Sequence, residues 1–414
     1  MKVLFVFGGL PHYYNLVLSR LNEVEGLEII VVVPSEEGQT LGDGVYQTKE
    51  GINFKTYHLK EYKNFFGKAF FRGFFDVIDK EKPDIIVAGW PYILSFYLNP
   101  FNYSRIKQDR IKIVDKDIPF RVPVYGDEVR FYKKLGMVPE DINPLTNFKG
   151  FLQFLNIYIL TKARLYYFKA VDAHVNYVED AYEILGSYGV PAEKIFISYN
   201  SPDTDVLYKV RESIEASERI MKPNPHRLLH VGRLVEWKRV DMLIKVFARL
   251  KKIYADAELV IVGYGPQKEE LEKMVKDLDL QDVVFAGGVY DQKLLGQYFT
   301  ESTIYVLAGM GGLSINEAML YGKPVVCSVC DGTEKKLVRD EYNGKYFEEG
   351  NEEDLFDKIN YLFSHPELVE QMGQNSDRII REEINIRTVI KGYLEAFNYV
   401  TKNRFGLKVK EENA

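Results

Sequence analysis

RLLHVGRLVEWKRVDMLIKVF, residues 227–247, decides the reading of the fold. The apolar run RLLHVG at 227–232 has the length and composition of a strand, and VDMLIKVF at 240–247 continues as an amphipathic helix. Gly232 and Arg233 stand at the strand end, with Lys238 five residues beyond Arg233 and just before the helix. A glycine there lets backbone approach a ligand, and two cations can neutralise separate phosphates, so the stretch suits a diphosphate. Taken alone it reads more readily as solvated surface charge.

Working outward, the same strand-then-helix unit recurs. ELVIVG at 258–263, VVFAG at 283–287, TIYVLA at 303–308 and PVVCS at 324–328 read as further strands. An earlier series does likewise: VLFVF at 3–7, closed by Gly8 and Gly9, then LEIIVVV at 27–33, DIIVAG at 84–89 and IKIV at 111–114. Continuous β-branched runs alternating with helices imply parallel sheets buried on both faces, with ligand sites at the C-terminal strand ends. The expected class is α/β, with two Rossmann-like doubly wound parallel-sheet domains facing a cleft. The turn-forming Ser201-Pro202-Asp203 stretch marks the boundary. The expected domains are 1–200, 201–385, and a C-terminal helix at 386–414 packing back on the first domain.

Two further glycine-tipped strands, at Gly263 with Gly265 and at Gly287 with Gly288, point to close backbone approach by a nucleotide; each singly is also explained as a strand terminator. In AGMGGLSINEAMLYGKPVVCS at 308–328, Gly311 and Gly312 lead into a helix beginning near Leu313. Its N-terminal amides would meet phosphate oxygens. Glu317, early in that helix, either complements the helix dipole or accepts hydrogen bonds from the two hydroxyls of a ribose.

The ordered set GRL-x3-K, LVIVGxGP, VxFxG, GL-x3-EA-M-x2-GKPVV and DGTEKKLV…NG, spanning 228–347, resembles the retaining family-4 (group 1) glycosyltransferases of the GT-B fold. The resemblance implies a retaining, nucleotide-sugar-dependent hexosyltransferase acting on a saccharide or lipid-linked saccharide in polysaccharide or glycoconjugate assembly. Arg233 and Lys238 would bind the donor diphosphate and serve catalysis, Glu317 the ribose, and the loop at Gly311, Gly312 and Leu313 the phosphates. Gly232, Gly263 and Gly265 complete the expected donor site in this half. The first Glu of the family's E-x7-E motif is absent: Gly309 stands at its position, and no carboxylate lies between Glu301 and Glu317. The loop at 307–313 reads as about three residues shorter than usual, which leaves the sugar open and backbone amides to contact it. In the first half, Gly8 and Gly9 match the family's glycine loop near the reaction centre. DKDIP at 115–119 falls where many members have His-Asp, so Lys116 replaces the His as a group that stabilises a phosphate or orients a hydroxyl, and Asp117 replaces the Asp. Asp117 and His12 are acceptor-site candidates. Rival readings are a GT-B epimerase, a phosphorylase, or a nucleotide-sugar-binding protein that has lost catalysis.

A net charge of −6 argues against sequence-independent nucleic-acid binding, so no nucleic-acid partner is expected. Cys327 and Cys330 form a lone C-x-x-C with no second pair for zinc, and read best as small residues at a strand end in a reducing cytoplasm. The D-x-D of Asp115 and Asp117 would suit a metal-bound diphosphate, but Arg233 and Lys238 already supply that charge, so neither metal nor cofactor is expected. The five-residue apolar run near Met1 is short for a signal peptide, and no run of about 18 apolar residues exists. The segment at 62–78 reads as a helix carrying Phe66, Phe70 and Phe74 with Lys63, Lys68 and Arg72 interleaved, and 148–168 behaves similarly. Such helices either cover a sheet or lie at a membrane interface, placing the protein in the cytoplasm with an option of peripheral contact at the inner membrane face.

Overall fold

The computed structural model describes residues 1–35, 51–63, 67–117, 121–139, 148–329 and 332–408. The chain divides into two compact units, Met1–Tyr199 with Val389–Ala414, and Asn200–Thr388.

The first unit is built on β1 (Lys2–Val6), β2 (Glu28–Pro34), β3 (Lys55–Leu59), β4 (Glu61–Lys63), β5 (Ala69–Phe71), β6 (Ile85–Ala88), β7 (Lys112–Asp115), β8 (Ala173–Asn176) and β9 (Ile195–Ile197). Seven of these form a parallel sheet in the order β3-β2-β1-β6-β7-β8-β9, and β4 and β5 pair as a separate antiparallel hairpin. Leu4, Ile30 and Ile86 on one face, and Val3, Phe5, Ile29 and Val31 in β1 and β2, have no solvent exposure. Burial of successive residues means that helices cover both faces, which is why these strands are continuously apolar and do not alternate. The helix Ile386–Val400 supplies part of that cover, setting Tyr393 and Phe397 at ring-centroid distances of 6.0 and 6.4 Å from Phe5.

The second unit is a six-stranded parallel sheet of β10 (Arg227–Val231), β11 (Glu258–Val262), β12 (Val283–Gly287), β13 (Ile304–Leu307), β14 (Val325–Cys327) and β15 (Gly344–Tyr346), in the order β12-β11-β10-β13-β14-β15. The helix Val240–Leu250 buries Val240, Leu243, Ile244, Phe247 and Leu250 completely, at the three- and four-residue spacing of one helix face. In both sheets the strand order reverses direction, between β1 and β6 and between β10 and β13. A crevice opens at the C-terminal ends of such strand pairs because the following chain departs to opposite faces.

The segment at 62–78 is not one helix. It holds β4 and β5 paired at Tyr62 and Phe70, followed by a helix only from Phe74 to Glu81. Gly67 and Gly73, at φ 68° and 74°, turn the chain on either side of β5, a left-handed backbone that ends helical continuity. Phe70, Phe71 and Phe74 are buried in the core, with Phe71 stacked on Tyr92 at 4.9 Å; Phe66 lies outside the described residues. The second aromatic stretch does form a helix, Phe148–Ala170.

A Cβ at Gly392 would lie 2.5 Å from Ser198 Cα, whereas one at Gly186, inside the helix Ala181–Ser187, meets nothing within 4 Å. Gly392→Ala should therefore destabilise the fold by about 1–3 kcal/mol from overpacking. Gly186→Ala should be neutral or add up to about 1 kcal/mol, both read from denaturant unfolding of the full chain.

Candidate functional site

At the reversal point of the second sheet, β10 and β13 are hydrogen-bonded neighbours, with Leu229 opposite Tyr305. Beyond β10 the chain runs through Gly232, Arg233 and Leu234, and this segment packs directly on the end of β11. A Cβ at Gly263 would stand 1.9 Å from the Gly232 carbonyl oxygen, and one at Gly265 2.3 Å from that of Leu234. Glycine is thus required at 263 and 265 by backbone-on-backbone packing within the protein. Arg233, half-buried, sets its guanidinium 5.8 Å from the Trp237 ring centroid.

Lys238 is only 7% exposed, and its ammonium donates to the carbonyls of Met310 at 2.7 Å and Gly311 at 2.6 Å. A buried cation is costly unless hydrogen-bonded, and these two carbonyls satisfy that demand. The Met310 N–H donates back to the Trp237 carbonyl at 2.9 Å. The turn at 236–238 and the loop after β13 are therefore tied by three hydrogen bonds. Gly309 lies at the centre of this lock, since a Cβ there would be 2.2 Å from the Trp237 carbonyl oxygen. The position at which the family's first Glu is expected has no room for any side chain.

The helix that follows spans Ser314–Leu320, with Leu313 at its cap and Glu317 in its first turn. Tyr305 reaches across from β13, donating to Ser314 Oγ at 2.7 Å and lying 3.3 Å from the Val231 carbonyl. Burial raises the Glu317 carboxyl to about 7, so the protein holds it poised between its neutral and charged forms. Beneath Gly232, His230 is wholly buried, with Nδ1 3.2 Å from the Val306 carbonyl. Burial, then the Lys238 charge, pulls it down to about 4, so the ring is neutral, and Nε2 has no hydrogen-bond partner among the described residues.

In the first unit, Gly8 and Gly9 follow β1, and His12 opens the helix His12–Asn22, where burial lowers its pKa. Lys116 reaches the same reversal point from β7. Its N–H bonds the Ala88 carbonyl at 3.0 Å, and its own carbonyl oxygen would be 2.2 Å from a Cβ at Gly89. The Lys116 ammonium faces the rings of Tyr14 and Tyr393 at 5.7 and 5.4 Å, and burial pulls it down to about 8. Asp117 accepts a 3.2 Å bond from Tyr167, while the buried Asp115 is bound to His174 Nδ1 at 2.9 Å.

Lys238 thus brings Gly232, Gly311 and Gly312 together beyond the end of β10, with Arg233 and Leu313 beside them in the chain and Glu317 in the first turn of the helix that follows, while Gly8 and Gly9 follow β1 and Lys116 follows β7 in the first unit. His230 and Tyr305 are absent from the sequence expectations; the one signal for them is a polar group inside an otherwise apolar strand.

Residues 212–378 match a family model described as glycosyl transferases group 1. An uncharacterized glycosyltransferase of Haemophilus influenzae is 34% identical over 177 residues, 42% of this chain and 49% of that one. The poly(ribitol-phosphate) alpha-N-acetylglucosaminyltransferase of Staphylococcus aureus is 30% identical over 171 residues, 41% of this chain and 34% of that one. The chain thus spans about half or less of the length of these curated relatives. Over nearly its whole length it resembles the Anabaena HepE structure (TM-score 0.64, 17% identity, 96% of this chain and 100% of that one). A Rickettsia africae glycosyltransferase structure is similarly alike (TM-score 0.64, 16% identity, 97% and 99%). Residues 212–378 are thus similar to the group 1 glycosyl transferases, and the fold of the chain is GT-B.

Restoring the family's carboxylate with Gly309→Glu should break the lock between the 236–238 turn and the loop, lowering the thermal midpoint. Lys238→Met, which keeps the stem but removes the ammonium, should make the 309–313 amides exchange faster by hydrogen–deuterium mass spectrometry while the sheet amides stay protected.

Proposed function

We propose that the chain is a retaining glycosyltransferase that moves a sugar from a nucleotide-diphosphate sugar to a saccharide or lipid-linked saccharide acceptor during polysaccharide or glycoconjugate assembly. The observation that carries this reading is the bracing of the Met310–Gly312 loop by the buried Lys238 ammonium, next to Arg233 at the end of β10. The arrangement fixes positive charge before any ligand arrives. Preorganised charge of this kind stabilises a departing diphosphate without reorganisation at the moment of reaction. The HepE structure contains UDP, and the S. aureus TarM structure, at TM-score 0.53, contains UDP with an alpha-GlcNAc-glycerol, which supports a nucleotide donor.

In the proposed reaction Arg233 grips the diphosphate with its forked donors, Lys238 adds charge from beneath the loop, and Glu317 accepts from the ribose hydroxyls. Gly232, Gly263 and Gly265 shape the backbone floor. The bond from the anomeric carbon to the diphosphate oxygen breaks as the acceptor hydroxyl adds on the same face. Its proton passes to the leaving phosphate. Gly8 and Gly9 are assigned to the donor side near the reaction centre, Lys116 to stabilising a phosphate or orienting a hydroxyl there, and Asp117 and His12 to the acceptor side. No metal is required, because the two cations carry the charge. A lipid-linked acceptor would bring the enzyme to a membrane face.

A thermal-shift comparison of UDP, GDP, ADP and dTDP, with and without EDTA, tests the donor site: one diphosphate should raise the midpoint, and EDTA should not abolish the rise. No rise with any of the four would overturn the reading. Arg233→Ala should lose most transfer activity with little change in midpoint, and near-normal transfer by it would sink the assignment.

If ribose binding requires the ionised Glu317, diphosphate binding must expel the proton from a carboxyl held at about 7. Affinity should then rise with pH up to about 7 and level off above it, weakening towards roughly tenfold per unit on the acid side. Glu317→Gln should bind more weakly and with a flat profile in the same calorimetric titration.

A further inference from the structure

The helix Phe148–Ala170 is 23 residues long, and its two faces differ sharply. One face packs into the unit: Ile157 lies with Tyr132 and Val138 in a small cluster, Tyr167 and Phe168 are fully buried, and Arg164 donates to Tyr132 at 2.6 Å. The other face is apolar and open. Phe148, Phe151, Leu152, Leu155, Tyr158 and Ile159 are between 40% and 76% exposed. Their three- and four-residue spacing places them along one stripe over more than three turns. Exposed large apolar side chains occurring singly are ordinary, but six on one helix stripe are a binding surface.

The charge says what covers it. The helix contains four basic residues and no acidic one. From 128 to 170 the count is seven basic to three acidic, a local balance of +4 in a chain whose net charge is −6. Lys162 and Lys169 are exposed and follow the apolar stripe towards the C-terminus, Lys162 sitting 5.3 Å from the Tyr158 ring centroid. The helix Glu128–Lys134, which packs alongside, ends in Lys133 and Lys134 and is followed by the exposed Leu135 and Met137. An apolar stripe flanked by long cationic stems fits the boundary between acyl chains and anionic headgroups, where the stems reach back to the phosphates. A second copy of this chain fits less well, because an isologous pairing would set two acid-free basic helices against each other. No described helix is long and apolar enough to cross a membrane, so the stripe would lie in the membrane plane.

We infer that this stripe, with the neighbouring Leu135 and Met137, is a docking surface for an anionic lipid bilayer. It gives a contact surface to the membrane-facing acceptor proposed above, but rests on none of the donor-site assignments.

Flotation of the full chain with phosphatidylcholine vesicles, with and without phosphatidylglycerol, tests it. The protein should float with the anionic vesicles, weakly or not at all with the neutral ones, and less at high salt. Leu152→Glu with Ile159→Glu should reduce the bound fraction at least about tenfold. Both positions are exposed, so circular dichroism and thermal midpoint should match the parent; Phe148→Ser is a milder second variant should the pair fail to fold. Failure of the parent to bind anionic vesicles, or equal binding by the folded variants, would overturn the inference. So would light scattering showing a dimer that the same substitutions dissolve, with no vesicle binding. The diphosphate thermal shift should be the same in parent and variants, so a failed donor site and a failed lipid surface give different results.

Discussion

A lysine ammonium withdrawn from water must find oxygen atoms inside the protein, and in this chain Lys238 finds them on the loop that follows β13. Two structural elements far apart in sequence are thereby held in one arrangement, and much of the second unit's crevice follows from it. Because the carbonyls of Met310 and Gly311 turn towards Lys238, they are not free to turn outward. Because the Trp237 carbonyl accepts from Met310, the loop lies against the turn closely enough to exclude a Cβ at 309. The same compactness at the end of β11 demands glycine at 263 and 265. The glycines at the ends of β10 and β11, which look in sequence like independent strand tips, share one piece of backbone packing, whereas a Cβ at Gly287 would meet nothing within 4 Å.

This explains which parts were legible. Buried parallel strands announce themselves as apolar runs, and nine of them could be placed by inspection, from VLFVF at 3–7 to PVVCS at 324–328. The edge strands β3, β9 and β15 and the internal β8 carry too few apolar residues to stand out: KTYHL in β3 is mostly polar, and AHVN in β8 is broken by His174 and Asn176. The hairpin of β4 and β5 was hidden by a coincidence of period: phenylalanines four residues apart suggest a helix, yet Gly67 and Gly73 turn the backbone between them. The motif residues of the second unit could be named because their order along the chain is distinctive. Their bonding could not, since nothing in the spacing of Arg233 and Lys238 reveals that one carries its charge beside an aromatic ring and the other against carbonyls.

The two units repeat one device. Each places a lysine near the reversal point of its sheet, and each shields it, Lys238 by carbonyls and Lys116 by the rings of Tyr14 and Tyr393. The shielding differs in strength. Carbonyl dipoles satisfy the ammonium directly, whereas aromatic faces compensate only part of its lost hydration, and burial leaves Lys116 near 8. One cation is a fixed part of the framework, and the other is close to giving up its proton.

The helix Ile386–Val400 also fixes an order of events during synthesis. The segment that makes the second unit is continuous, Asn200–Thr388, so everything it needs has been made before Val389 is added. The first unit is made of two separated segments, Met1–Tyr199 and Val389–Ala414, and Phe5 waits for Tyr393 and Phe397 while Tyr14 waits for the Tyr393 hydroxyl, 2.9 Å away in the folded protein. On the ribosome, the domain begun first is therefore the one completed last. A nascent chain stalled after residue 388 would carry a finished second sheet and a first sheet with Phe5 still uncovered.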